Sequence, residues 1–122
     1  MTPNAPLLLK VLEHITAHPE EHNQRNWGIR RTGCGTAYCF AGWAAVMSGH
    51  ELLWEKAPFD DDVFRAFITA EGRPIESVAQ DELGLTYVQQ HEMFGTRNTL
   101  RQLWQMAAVY TRGEITPPPE FA

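Results

Sequence analysis

The stretch D-D-D-V-F-R-A-F-I-T-A-E-G-R-P, residues 60–74, decides how the chain is read. Asp60, Asp61 and Asp62 stand where the positive end of a helix dipole favours acids, and Val63, Phe64, Phe67 and Ile68 follow at the spacing of one helical face. Gly72-Arg73-Pro74 then closes the segment. The pattern predicts an acid-started amphipathic helix. With that segment helical, nothing in the chain alternates convincingly with period two, and the short connections leave little room for a sheet. The expected fold is all-α: a single compact domain of five to six short helices around a central Cys/Ala/Trp helix.

That central helix is expected in G-C-G-T-A-Y-C-F-A-G-W-A-A-V-M-S-G, residues 33–49. Thr36 is placed to cap it and Gly49 to stop it, which predicts a helix from about Ala37 to Ser48. Phe40, Trp43, Ala44 and Met47 share one apolar stripe, and Ala41, Gly42 and Ala45 are small enough to admit a neighbouring helix closely. Upstream, Asn4 caps a helix to about Ala17 with Leu8, Val11, Leu12 and Ile15 on one face, and Pro19-Glu20-Glu21 starts a short turn. The region from His50 to Phe59 has no clear period, although Leu52, Leu53 and Trp54 need burial. Downstream, a helix from about Ile75 ends at Leu83-Gly84, Thr86 and Gln89 form a capping box, and Asn98 caps a last helix that carries Leu100, Leu103, Trp104, Ala107 and Ala108. The domain is expected to span residues 1–113. Residues 114–122, with Pro117-Pro118-Pro119, read as an extended tail that cannot be helical.

At 122 residues and 43% apolar composition the chain is long enough to bury one core without staples. No apolar run reaches the roughly 20 residues of a membrane span. The start, M-T-P-N-A-P-L-L-L-K, lacks the basic region and small-residue cleavage site of a secretory signal, so the expected setting is the cytoplasm with Cys34 and Cys39 reduced. The net charge of −5 is concentrated between Glu51 and Glu92, a field that repels phosphates. Arg25, Arg30 and Arg31 are the one basic cluster and read as a solvated loop.

Residue types and their spacing bear on three chemistries. Cys34, Cys39, His14 and His18 include the ligand types of a structural zinc site, although C-x4-C lies at the edge of the usual range and Pro19 separates His22 from the other two imidazoles. Cys39, near a helix start, has the position of an activated thiol, but its apolar neighbours would raise its pKa, and the chain is short for the distant His and Asn of papain-like proteases. Val78–Phe94 resembles a helix-turn-helix with one residue too many between Ala79 and Gly84, and the second helix has no Lys or Arg to neutralise phosphates. No phosphate loop, nucleophile elbow or dinucleotide fingerprint is present.

The motif C34-G35-T36-x-x-C39-x-A41-G42-W43-A44, with His18-Pro19-Glu20 and Trp27 before it and Leu83-Gly84-Leu85 and Phe94 after it, resembles small uncharacterised proteins of actinobacteria and their phages over roughly residues 14–95. The resemblance implies a bacterial host cell as setting and Cys34, Gly35, Thr36, Cys39, Ala41, Gly42 and Trp43 as the shared structural centre; it implies no activity. The expected function is that of a small non-enzymatic, phage-related protein that binds a host or phage protein, with no cofactor, no nucleic acid and no membrane. The expected contact residues are Leu53, Trp54, Glu55, Phe59, Asp60 and Asp61, with Trp54 as anchor and the acids, Asp62 included, as a rim that selects a basic partner. The alternative is a zinc-stabilised module using Cys34, Cys39, His14 and His18.

Overall fold

Residues 60–69 are extended, not helical. In the computed structural model, which describes residues 2–32 and 35–122, they form the longest strand of a four-stranded antiparallel sheet packed with five α-helices. The fold is mixed α/β, and the all-α expectation is overturned. In chain order the elements are α1 (Ala5–Ala17), β1 (Gly28–Arg31), β2 (Gly35–Ala37), α2 (Phe40–Met47), β3 (Leu52–Ala57), β4 (Asp60–Thr69), α3 (Ile75–Leu83), α4 (Tyr87–Met93) and α5 (Leu100–Tyr110), with 3-10 turns at Pro19–Glu21 and Pro119–Phe121. The strands lie in the order β2-β1-β4-β3.

The physical cause of the difference lies in β4. Val, Phe, Ile and Thr are strong strand formers, but the buried positions Val63, Ala66 and Thr69 fall three apart, as on a helix. Two effects produce that spacing. Val63 is buried on the outer face of the sheet with Ile29 and Ala57, whereas Ala66 packs on the other face against Ala45 of α2 and Ile75 and Val78 of α3. The register then steps from Trp54 opposite Ala66 to Leu53 opposite Ile68, leaving Phe67 as an extra, bulged residue. A bulge shifts the alternation by one, so Thr69, paired with Leu52, returns to the face that looks at the helices.

The first helix follows its sequence pattern: Asn4 Oδ1 accepts the Leu7 N–H at 3.2 Å, and Leu8, Val11, Leu12 and Ile15 are buried. Helix α2 begins three residues later than its pattern predicts. Thr36 sits in β2, where its hydroxyl accepts from Arg30 Nε at 3.4 Å, and the cap is Cys39, whose Sγ accepts the Gly42 N–H at 3.4 Å. Cys34 and Gly33 lie outside the described residues. Gly42 does admit close contact, but with a loop and not with a helix: a Cβ there would overlap the Trp27 carbonyl oxygen. Arg30 and Arg31, expected in a loop, belong to β1.

The main core joins α1, α2, α3, α4 and α5 through residues such as Leu12, Phe40, Leu83, Met93 and Leu103. The capping box of Thr86 and Gln89 is present, and a second, of Thr99 and Gln102, caps α5 in place of Asn98. Asn98 instead donates to the Glu92 and Met93 carbonyls at the end of α4. The tail is not free and not wholly extended. Ile115 is buried in the core, Pro119–Phe121 is a 3-10 turn, and Phe121 stacks on Trp104 with ring centroids 6.5 Å apart.

Candidate functional site

Strands β3 and β4 are joined by Pro58 and Phe59 alone, Ala57 pairing with Asp60 across the turn. Proline presets the backbone angle for the first position of a tight turn, and the register steps between Lys56, opposite Phe64, and Ala57, opposite Asp60. Asp60 Oδ1 accepts the Asp62 N–H at 3.0 Å and so fixes the aspartate run, while Lys56 Nζ bonds Asp61 Oδ1 at 2.5 Å. The result places Phe59 at the tip with its whole side chain in solvent, 101% exposed, beside three exposed aspartates and one lysine. Burying an aromatic ring from water is worth about 2 kcal/mol or more, and none of the described residues covers this one.

The remaining expected contact residues do not join it. In a strand successive side chains face opposite ways. Leu52 and Trp54 therefore pack toward the small cluster under α2 and α3, while Leu53 and Glu55 face outward. Leu53, 46% exposed, is six residues from Phe59, about 20 Å along an extended chain. Trp54 is half-buried, not the exposed anchor expected. Its ring lies against Tyr38, centroids 6.1 Å apart, and the Arg30 guanidinium stacks over it at 4.3 Å. Gly28 makes room for this ring: a Cβ there would sit 3.1 Å from it. The basic side chains Arg30, Arg31 and Arg65 are exposed on the sheet, and Asp60, Asp61 and Asp62 gather acidic charge at the hairpin tip.

Of the zinc alternative, the structure joins only part. Cys39 is buried, its Sγ is engaged as the α2 cap, and burial pushes the thiol up to about 12, which suits neither a metal ligand nor a nucleophile. Cys34 lies outside the described residues. His14 and His18 do come together at the end of α1, ring centroids 4.8 Å apart, with Glu20 and Glu21 of the following turn beside them. His22 goes elsewhere, bonding Gln24 Oε1 at 2.8 Å, and burial lowers its pKa. Gln24, which no sequence pattern marked, is a hub: its Oε1 also accepts the Phe40 N–H and its Nε2 donates to the Met93 and Gly95 carbonyls.

The segment compared with a helix-turn-helix is two helices, α3 and α4, joined through left-handed Gly84. Helix α4 presents Tyr87 and Val88 to solvent. No helix among the described residues is long and apolar enough to cross a membrane. No family model matches the chain, and neither does any curated protein or solved structure.

Proposed function

We propose that this chain is a small, non-enzymatic, phage-related protein of the bacterial cytoplasm that works by docking the β3–β4 hairpin tip onto a basic surface of a host or phage protein. The observation that carries the reading is Phe59, a fully exposed aromatic side chain covered by none of the described residues, held at a two-residue turn directly before three aspartates. An aromatic anchor inside a charged rim is the usual anatomy of a binding hot spot, and the rim speeds encounter with a surface of opposite sign. The setting rests on the resemblance of the Cys-Gly-Thr segment to proteins of actinobacteria and their phages.

The test is capture from phage-infected host cells on the immobilised chain, followed by calorimetry with the purified partner. Phe59→Ser should weaken the complex about 30-fold, the effect of a 2 kcal/mol hot spot, and Asp60→Asn with Asp61→Asn and Asp62→Asn should remove most of the salt dependence. A partner bound equally well by all these chains would exclude the hairpin tip as the docking element.

A further inference from the structure

We propose that His18, Glu20 and Glu21 form a binding site for a divalent transition metal, Zn2+ in the first instance, with His14 as the residue that positions Glu21. Helix α1 ends at Ala17, and Pro19 turns the chain at once into a 3-10 turn that brings the two carboxylates back over the helix end. His18 Nδ1 lies 3.5 Å from Glu20 Oε1 and 3.9 Å from Glu21 Oε2, and one ligand atom from each of the three residues lies within 4.8 Å of the others. In a tetrahedral shell with bonds near 2.1 Å, ligand atoms stand about 3.4 Å apart. Closing the observed trio onto a metal therefore needs only small rotations of side chains whose outer ends are exposed.

Glu21 is the least free of the three. Its Oε1 is 3.0 Å from His14 Nε2, which leaves Oε2 turned toward His18. Its carbonyl oxygen accepts from Trp43 Nε1 at 2.8 Å and from the Tyr38 N–H at 3.1 Å, and the Trp43 ring lies against His14 with centroids 4.3 Å apart. A hydrogen bond from a second imidazole to a coordinating carboxylate is the outer-shell arrangement that orients metal ligands. One imidazole and two carboxylates form a nitrogen–oxygen donor set that suits Zn2+ or Mn2+ and leaves positions for water. The set differs from a Cys/His site in using no sulfur.

The test is titration of the full-length chain with ZnCl2 by calorimetry and with Co2+ by absorption spectroscopy. The expected result is one saturable site, Co2+ bands of nitrogen–oxygen type without a thiolate charge-transfer band, and metal-dependent shifts of the His18 and His14 imidazole NMR signals in the unaltered chain. His18→Ala should abolish binding and Glu20→Gln with Glu21→Gln should do the same. His14→Phe, which keeps a ring against Trp43 but loses the bond to Glu21, should weaken binding about 10-fold or more, whereas Cys34→Ser should leave it unchanged. Absence of saturable binding, a thiolate band, or imidazole signals unmoved by Zn2+ would overturn the assignment, and the NMR result stands even if a variant fails to fold.

Discussion

Replacing Gly42 by alanine sets two effects of known size against each other. Alanine is the better helix former by up to about 1 kcal/mol, and Gly42, in the first turn of α2, has no left-handed backbone to protect. Propensity alone therefore predicts a more stable protein. The packing predicts the opposite. The new Cβ would overlap the Trp27 carbonyl oxygen and lie 2.9 Å from Tyr38 Cβ and 3.1 Å from the Trp27 carbonyl carbon, none of which is the end of a flexible side chain. Nor can the loop easily withdraw, because the Cys39 N–H bonds the Asn26 carbonyl at 2.8 Å and the Phe40 N–H bonds Gln24 Oε1 at 3.1 Å. Overpacking costs about 1–3 kcal/mol, and each weakened hydrogen bond adds about 1 kcal/mol. Set against the propensity gain, the net loss is about 2–3 kcal/mol, a fall in Tm on the order of 10 °C for a domain of this size. Urea and thermal unfolding followed by far-ultraviolet circular dichroism measure it. A Gly42→Ala protein as stable as the parent, or more so, would refute the close approach of α2 to Trp27.

Three further outcomes follow from the same packing. Gly84 has φ +66° and a Cβ there would stand 2.7 Å from the Thr2 carbonyl oxygen, so Gly84→Ala should destabilise by about 1–2 kcal/mol; an unchanged urea midpoint would contradict the contact. The unfolded Cys39 thiol ionises above about pH 8.5 while the folded one keeps its proton to about 12, so stability falls as pH rises through that window; the fall in urea midpoint between about pH 8 and about pH 10 should shrink in Cys39→Ala, and equal falls in the two chains would show that Cys39 is not the cause. Trp54→Ala should cost about 2 kcal/mol, less than a core tryptophan because the ring is half-buried, whereas Phe59→Ser should leave Tm unchanged; a Trp54→Ala protein with the parent's Tm would place that ring outside the packed sheet.

Helices whose apolar period and caps agree were legible. Helix α1 has four buried residues at helical spacing and an asparagine cap, and α4 has a capping box, so local and tertiary preferences point the same way. The sheet was not legible, for reasons that reside in particular residues. The β3–β4 turn is Pro58-Phe59 and not the Asn-Gly or Asp-Gly pair that marks a hairpin. The three aspartates after it are equally good as helix-start acids or as a fixed turn, and only tertiary contact chooses between them. In β3 the alternation of Leu52 and Trp54 with Leu53 and Glu55 is present, but it is hidden by apolar residues on both faces. In β4 burial on both faces of the sheet, followed by the bulge at Phe67, gives a strand a period of three.

The candidate surfaces were obscured by the same alternation and by one proline. Residues 52–59 form a single apolar cluster with an acidic border only when the chain is viewed as a line. Folded as a strand, the line divides: Trp54 is drawn under the sheet beside Arg30, Leu53 is carried to the outer face, and Phe59 alone reaches the tip. An anchor chosen by size selects Trp54; an anchor chosen by strand parity and distance from the core selects Phe59. Pro19 acts in the reverse sense. In the sequence it breaks the helix and so spoils the third step of the His14, His18, His22 series. In the fold that break is what assembles the cluster, because a continued helix would carry Glu20 away from His18, whereas the 3-10 turn folds Glu20 and Glu21 back onto both imidazoles. The ligand types that belong together are therefore set by the turn geometry that follows the helix and not by spacing along it.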